Sequence, residues 1–325
     1  METFEEHIIR ISLPLPFRLN HVNSYVIREQ SGWSVIDPGL NVPETERQWE
    51  NTLRELALDK SALQRIIVTH FHPDHYGYAG TMQQWSKVPV YASPLTFGMA
   101  ERYYSLNQME RYRRFYSRAG LPAELAEGAL LLDLAVLKQI APVQGERIFL
   151  RESEKVALGG QVYTVVTGNG HAEGSIGLWD KHQNVFIGGD LLLEKITPNI
   201  SYDYESEANP LQDYLDTLDS LRYLDIVTVL PGHGTRFKLH EGYYDQLTAH
   251  HHERLASVHA MVSGTGTKGA TLYEVCLHLF PKVNDAEGLR FALSETAAHL
   301  RVLETQKLLM VQELNGVLFF SAQVS

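Results

Sequence analysis

Cysteine is nearly missing from this chain: Cys276 is the single thiol among 325 residues. No disulfide can close within it, which suits a reducing compartment, and the cytoplasm is expected. Long apolar runs are missing too. Unbroken stretches such as Ala129–Leu132 and Val317–Phe320 fall far short of the roughly 20 residues a membrane span needs, so no membrane partner is expected. The N-terminus places Glu2, Glu5 and Glu6 where a secretory signal requires positive charge and then a long apolar segment. Positive charge is in deficit overall, with 28 basic against 39 acidic residues and a net charge of −11. Such a chain repels phosphate backbones on average, so nucleic acid is not an expected partner. Internal repeats and low-complexity tracts are also absent, which leaves one large domain or one large and one small.

What is present first is a strand–helix–strand rhythm. Ile8–Leu13, Asn23–Arg28 and Trp33–Ile36 read as strands, the last closed by the turn Asp37-Pro38-Gly39. Glu44–Leu58 has helical composition, and the β-branched run Arg65–Thr69 leads straight into His70; Val88–Ala92 is a further strand. This points to a layered α/β architecture. From about 97 to 140 no strand signal appears, and two or three inserted helices are expected, broken at Gly120-Leu121-Pro122. Strands resume at Arg147–Leu150, Gln161–Thr167, Gly177–Trp179 and Val185–Ile187, followed by a helix with Leu211, Tyr214, Leu215, Leu218 and Leu221 on one face. Ile226–Leu230 is a buried-strand candidate. Beyond a boundary near 245, helices at Tyr243–Val262, Leu272–Phe280 and Glu287–Thr305 precede two apolar runs joined by Asn315-Gly316, a hairpin signal. Residues 1–245 are therefore expected to form one large domain and 246–325 a small winged-helix-like module.

Histidine is the abundant oddity, with fifteen copies. The run Thr69-His70-Phe71-His72-Pro73-Asp74-His75 packs three imidazoles and a carboxylate into one strand end. Side chains at i and i+2 point the same way after a strand, so His70 and His72 can grip one ion. Pro73 turns the chain and lets Asp74 and His75 face a neighbouring ion. Neutral imidazole and carboxylate without thiolate suit Zn²⁺, Fe²⁺ or Mn²⁺. His171, Asp190 and His233 each sit beside glycine at the end of an expected strand, where glycine lets backbone approach a ligand cage closely. Any one of them reads as an ordinary turn; together with the His70 run they make four such strand ends. The run His250–His252 reads instead as a solvated helix face, since neighbours on a helix diverge.

With Asp37 in Val35-Ile36-Asp37-Pro38-Gly39, this set in this order resembles the metallo-β-lactamase superfamily over roughly residues 1–245. The resemblance implies an αββα sandwich with two divalent metals, zinc foremost and iron or manganese also compatible. It implies that His70, His72 and His171 hold one metal, that Asp74, His75 and His233 hold the other, that Asp190 bridges them, and that Asp37 supports the ligands from behind. The whole chain is similar to the branch typified by β-lactamase-like protein 2, in which a winged-helix-like module follows the hydrolase domain. Asp190 as bridge, with Cys276 remote on a C-terminal helix, looks like a glyoxalase II type of centre rather than a β-lactamase.

A two-cation centre lowers the pKa of a shared water towards neutrality, so a hydrolase is expected, with Asp74 orienting the nucleophile and shuttling its proton as the family resemblance suggests. A small acyl thioester or ester is the first substrate class. The 97–140 insertion offers Phe97, Met99, Tyr103, Tyr104, Leu106, Met109, Tyr112, Phe115 and Tyr116, a stripe better explained by core packing than by an acyl-chain lid. Its arginines, Arg111, Arg113, Arg114 and Arg118, could meet a coenzyme A or nucleotide phosphate, but a solvated helix face beside Glu110 is the commoner explanation. The alternatives are an endoribonuclease or phosphodiesterase on single strands, a mononuclear iron oxygenase, and a non-enzymatic metal-binding regulator. Residues 246–325 carry six basic and seven acidic side chains, whereas a groove-reading winged helix is basic. The module is therefore expected to serve packing, a lid or a homodimer.

Overall fold

The structure, a computed structural model, describes residues 1–4, 7–105 and 107–323. Glu5, Glu6 and Leu106, named above, lie outside the described residues. The chain divides into two compact units: Met1–Tyr104 with Val136–Pro198 and Leu224–His240, and Ser105–Ala135 with Asn199–Tyr223 and Glu241–Ser325.

The first unit holds two sheets. One runs β1 (Glu2–Phe4), β2 (Ile8–Pro14), β3 (His21–Glu29), β4 (Gly32–Ile36), β5 (Leu63–Ile67), β6 (Val90–Ala92) and β7 (Arg147–Phe149) in sequence order. Its first half is antiparallel; from β4 onward the strands are parallel. Parallel neighbours need crossovers, and helices α1 (Pro43–Glu55) and, beyond the short α2 (Pro73–Tyr76), α3 (Ala79–Ser86) provide them; α4 (Pro94–Tyr103) follows β6. The second sheet contains β8 (Lys155–Leu158), β9 (Gln161–Gly168), β10 (Ser175–Asp180), β11 (Val185–Gly189), β12 (Thr228–Pro231) and β13 (Phe237–Lys238). Within it β11 and β12 are parallel.

Both faces of the first sheet are buried, and the two-residue period decides which side chain goes where. Ile8, Tyr25, Ile27, Ile36 and Ile67 meet Tyr163, Val165, Ile176, Leu178, Ile187 and Leu230 of the second sheet. Ile9, Val26, Trp33 and Val35 pack on the other side with Trp49 and Leu53 of α1 and Met82 of α3. Each fully buried aliphatic of this kind contributes about 1.5–3 kcal/mol, which locks strand register, because a one-residue slip would exchange the two faces.

The second unit contains α5 (Asn107–Arg118), α6 (Ala123–Leu137, its last residues in the first unit), α7 (Pro210–Leu221), α8 (Tyr243–Ser263), α9 (Leu272–Leu279) and α10 (Ala286–Thr305), with a small sheet ordered β14 (Ala270–Thr271), β16 (Val317–Ala322), β15 (Leu309–Leu314). Thr271 and Glu274 close a reciprocal cap at the start of α9. Leu314 pairs with Val317 across Asn315-Gly316, whose φ values of 51° and 79° are those a tight two-residue hairpin requires. No helix among the described residues is long and apolar enough to cross a membrane.

Two surface readings are corrected by the structure. Arg111 is buried, 8% exposed, and clamps Asp203 bidentately at 2.5 and 2.9 Å. Arg114 grips Glu205 at 2.9–3.1 Å and Arg118 pairs with Glu313 at 3.2 Å. These arginines join loop and hairpin to α5, so the idea of a merely solvated cluster fails for Arg111 and Arg118; Arg114 and Arg113, the latter beside Glu110, stay on the exposed face. In the aromatic stripe, Phe97, Met99, Phe115 and Tyr116 are buried, as core packing expects. His251 likewise does not sit on a solvated face. It is fully buried on α8, against the Tyr214 ring and 3.4 Å from His299 Nε2 of α10. Consecutive helix positions face different sides, and one member of the His250–His252 run had to face inward.

Burial, then the neighbouring histidines and Arg254, hold the His251 pKa down to about 3, and burial holds His299 to about 4. A depressed histidine is stabilising above the unfolded value near 6.5, and that stability is lost as pH falls towards the folded values. Urea unfolding of His251→Phe is expected to depend less on pH between neutral and mildly acidic conditions than the wild type. Parallel pH profiles for the two proteins would contradict it.

Candidate metal centre

The site forms because the C-terminal ends of β4, β5, β9, β11 and β12 open at one edge of the first unit. After β4, Asp37 adopts φ 55° and turns its carboxylate back under the loop that follows β5. The Thr69 amide donates to Asp37 Oδ1 and the Thr69 hydroxyl to Oδ2, both at 2.7 Å. The strand ends at Ile67, so His70 and His72 stand on the bent loop that follows rather than on strand β5 itself. Pro73 begins α2, and His72 before it is held extended with ψ 148°. This directs His72 towards His70 while Asp74 and His75 rotate onto the helix.

The second sheet delivers the remaining members. His171 follows β9, Asp190 follows β11 and His233 follows β12. Hydrogen bonds staple the two sheets at this edge: Ile176 N donates to Thr69 O at 2.8 Å, Asn23 N to Gly232 O at 2.7 Å and the Tyr25 hydroxyl to Pro231 O at 2.7 Å. Asn23 Nδ2 adds bonds to Pro231 O and Gly234 O at 2.8 and 3.0 Å. Thr69, Asn23 and Tyr25 are the functional positions that sequence reasoning missed as such; nothing in their local pattern marks them, since they act across the fold. Gly232 shows why glycine is needed there. A Cβ at Gly232 would lie 2.2 Å from Asp190 Oδ1 and 2.6 Å from His75 Cε1.

All seven candidate ligands converge, in three overlapping groups: His70, His72 and His171; His70, His75 and Asp190; Asp74, His75 and His233. His70 Nε2, His72 Nδ1 and His171 Nε2 lie 3.0–3.3 Å apart. Zinc–nitrogen bonds of about 2.0–2.1 Å in a tetrahedron place donors about 3.4 Å apart, a close match. On the other side, Asp74 Oδ2 is 3.2 Å from His233 Nε2 and 3.8 Å from His75 Nε2. Asp190 Oδ2 stands 3.4 Å from both His171 Nε2 and His233 Nε2, and its Oδ1 is 3.6 Å from His75 Nε2. Among the described residues, buried His75 Nε2 and Asp190 Oδ1 have no hydrogen-bond partner. Orphaned polar atoms of this kind, in an oxygen and nitrogen donor set, fit divalent cations.

The tautomers agree. His75 Nδ1 donates to Asp37 Oδ2 at 2.8 Å and His233 Nδ1 to the His21 carbonyl at 2.9 Å. Carboxylate and carbonyl oxygens only accept, so both rings turn Nε2 towards the cluster.

Electrostatics divides the cluster in two. Burial, then the neighbouring imidazoles, hold His70 well below its ordinary value and His72 at about 3, so both imidazoles are neutral. Burial alone would also lower His75 and His233. Asp190, Asp74 and, for His75, Asp37 outweigh it, raising His75 strongly and His233 to about 10. Burial would raise Asp74 and Asp190, but His75 and His233 overcome it and hold both well below the carboxylate range. In the metal-free chain the His233 contribution to stability is complete below about 6.5 and is lost as pH rises through about 10.

A two-sheet α/β sandwich with a histidine- and aspartate-lined cluster at one strand-end edge is the class defined so far. Residues 18–233 match the family described as the metallo-beta-lactamase superfamily, and the chain belongs to it. It is 29% identical over 312 residues to "Probable metallo-hydrolase YqjP" of Bacillus subtilis, covering 93% of each chain. A metallo-beta-lactamase family protein of Thermus thermophilus superposes with a TM-score of 0.85 at 27% identity, covering 98% of this chain and 99% of the other. "Hydroxyacylglutathione hydrolase GloC" of Haemophilus influenzae is 25% identical, covering 65% of this chain and 84% of its own.

Two outcomes are expected. Metal uptake near neutral pH releases protons from His75 and His233, measurable as a buffer-dependent heat in calorimetry; a buffer-independent heat would contradict protonated His75 and His233 in the metal-free chain. Gly232→Ala keeps the circular dichroism spectrum but loses metal, because the new methyl displaces Asp190 or His75.

Proposed function

We propose that the chain is a metal-dependent hydrolase with a dinuclear centre that cleaves small acyl thioesters or esters. The observation that carries this reading is the position of Asp190, whose Oδ2 lies 3.4 Å from one imidazole of each group. In this reading His70, His72 and His171 hold one cation, Asp74, His75 and His233 the other, and Asp190 is shared. Asp37 holds the ligands from behind. Zinc suits the donor set best, with iron or manganese also compatible. When bound, the cations supply Lewis acidity, so that water ionises near neutral pH and developing negative charge is stabilised.

The residues themselves do the rest. His72 and Asp74 are the partly exposed members, while His70, His75, His171, Asp190 and His233 are buried. Substrate therefore approaches over His72 and Asp74. Asp74 is the carboxylate on the open side of the cluster, so it is read as orienting the attacking water and shuttling its proton.

Small acyl substrates are favoured by the name borne by the Haemophilus relative and by charge. The β15–β16 hairpin carries no lysine or arginine in a chain of net charge −11, a poor surface for a polyanion. Residues 246–325, with α9, α10 and the β15–β16 hairpin, are read as a winged-helix-like module that serves packing, a lid or a homodimer rather than nucleic-acid binding. Cys276 lies buried in α9, its thiol pushed up to about 12 by burial, so it takes no part.

Asp74→Ala and His72→Ala are each expected to lower kcat/KM at least about 100-fold on the best acyl thioester while leaving the melting temperature near wild type. Mass spectrometry is expected to find two metals per chain. Near-wild-type turnover by metal-stripped protein refutes the mechanism. Cleavage of RNA but of no thioester, ester or lactone overturns the substrate class.

A further inference from the structure

We propose that Thr69 is a positioning residue that fixes the proton of His70 on Nδ1 and so keeps the His70 Nε2 lone pair aimed at the first metal group. The inference rests on the metal reading above for the purpose of that lone pair, but not for its existence. Thr69 is 1% exposed, so no water competes for its hydroxyl. A hydroxyl has one proton to donate. Asp37 Oδ2, at 2.7 Å, is an acceptor and takes it. The second contact of the same oxygen, 3.0 Å from His70 Nδ1, then requires the imidazole to be the donor. With the proton on Nδ1, Nε2 is bare, 3.1 Å from His72 Nδ1 and 3.3 Å from His171 Nε2.

Asp37 Oδ2 also accepts from His75 Nδ1 at 2.8 Å. One carboxylate oxygen thus sets a histidine in each metal group, directly for His75 and through Thr69 for His70. Removing the Thr69 hydroxyl cuts only one arm. Valine has nearly the same shape, and the backbone bonds of Thr69, its amide to Asp37 Oδ1 at 2.7 Å and its carbonyl from Ile176 N at 2.8 Å, do not involve the side chain. In Thr69→Val a proton on Nδ1 would face a methyl group in a dry site, while a proton on Nε2 would find an imidazole acceptor. The tautomer is expected to flip, which places hydrogen where the metal must bind.

The test uses the full-length chain with ¹⁵N-labelled histidine, and His70→Gln to assign the His70 signals. In metal-free wild type and Thr69→Ser, imidazole correlation spectra are expected to show the Nδ1–H form of His70; in Thr69→Val, the Nε2–H form. Zinc titration against a competing chelator is expected to show one site weakened about 10- to 100-fold in Thr69→Val, with the other site and the Thr69→Ser protein unchanged. An unchanged Nδ1–H form in Thr69→Val, equal loss in Thr69→Ser, or equal weakening of both sites overturns the proposal. Should wild type bind no zinc, the metal reading falls, and the metal-free spectra alone decide the role of Thr69.

Discussion

Imidazole lone pairs and carboxylate oxygens repel one another when crowded, and seven such side chains meet within a few ångströms at one edge of the first unit. Asp74 and Asp190 attract His75 and His233, but those contacts alone do not fix the geometry. The constraint that does so is the Asp37 carboxylate, buried and only 2% exposed, which receives the Thr69 amide and hydroxyl and the His75 imidazole. A turn conformation disfavoured for most side chains, at φ 55°, puts it in place. Strand β4 sets that turn, and the parallel pairing of β4 with β5 brings the Thr69–His75 loop over it.

The second sheet must then be held to the first with an accuracy that packing alone does not provide. The inter-sheet core supplies the bulk of the attraction but is non-directional. Direction comes from the polar staples at the site edge, where Asn23 and Tyr25 hold Pro231, Gly232 and Gly234 beside His233. Gly189 and Gly232 allow the loops to close to contact: a Cβ on Gly189 would lie 2.5 Å from the Thr69 hydroxyl. Removing side chains at these two positions lets backbone pass where the candidate ligands come together.

The second unit solves a different problem. It is fastened by ion pairs that are partly buried: Arg111 with Asp203, and Arg290 with Asp133, whose other oxygen accepts from the Tyr116 hydroxyl. Such pairs add little net stability over apolar packing, but they penalise misplacement strongly because an unpaired buried charge is costly. That suits a unit assembled from three separated stretches of chain.

Strand and helix positions were legible in the sequence because period-two and period-3.6 patterns are local consequences of burial; most elements appear within two or three residues of expectation, and the Asn315-Gly316 hairpin forms where that pair demands it. The short strands β1, β8, β13 and β14 were overlooked, for none exceeds four residues and a two-residue period needs more length to register. The seven candidate ligands were visible as residue types at strand ends, since metal-ligand chemistry restricts the choice to a few side chains. Which of them touch, which nitrogen each imidazole turns inward, that Asp190 lies within 3.4 Å of both His171 and His233, and that Thr69, Asn23 and Tyr25 brace the cluster were decided by tertiary structure alone. So were the burial of His251 and the pairing of Arg111. These depend on contacts between residues far apart in the chain, and local periodicity carries no record of a partner a hundred positions away.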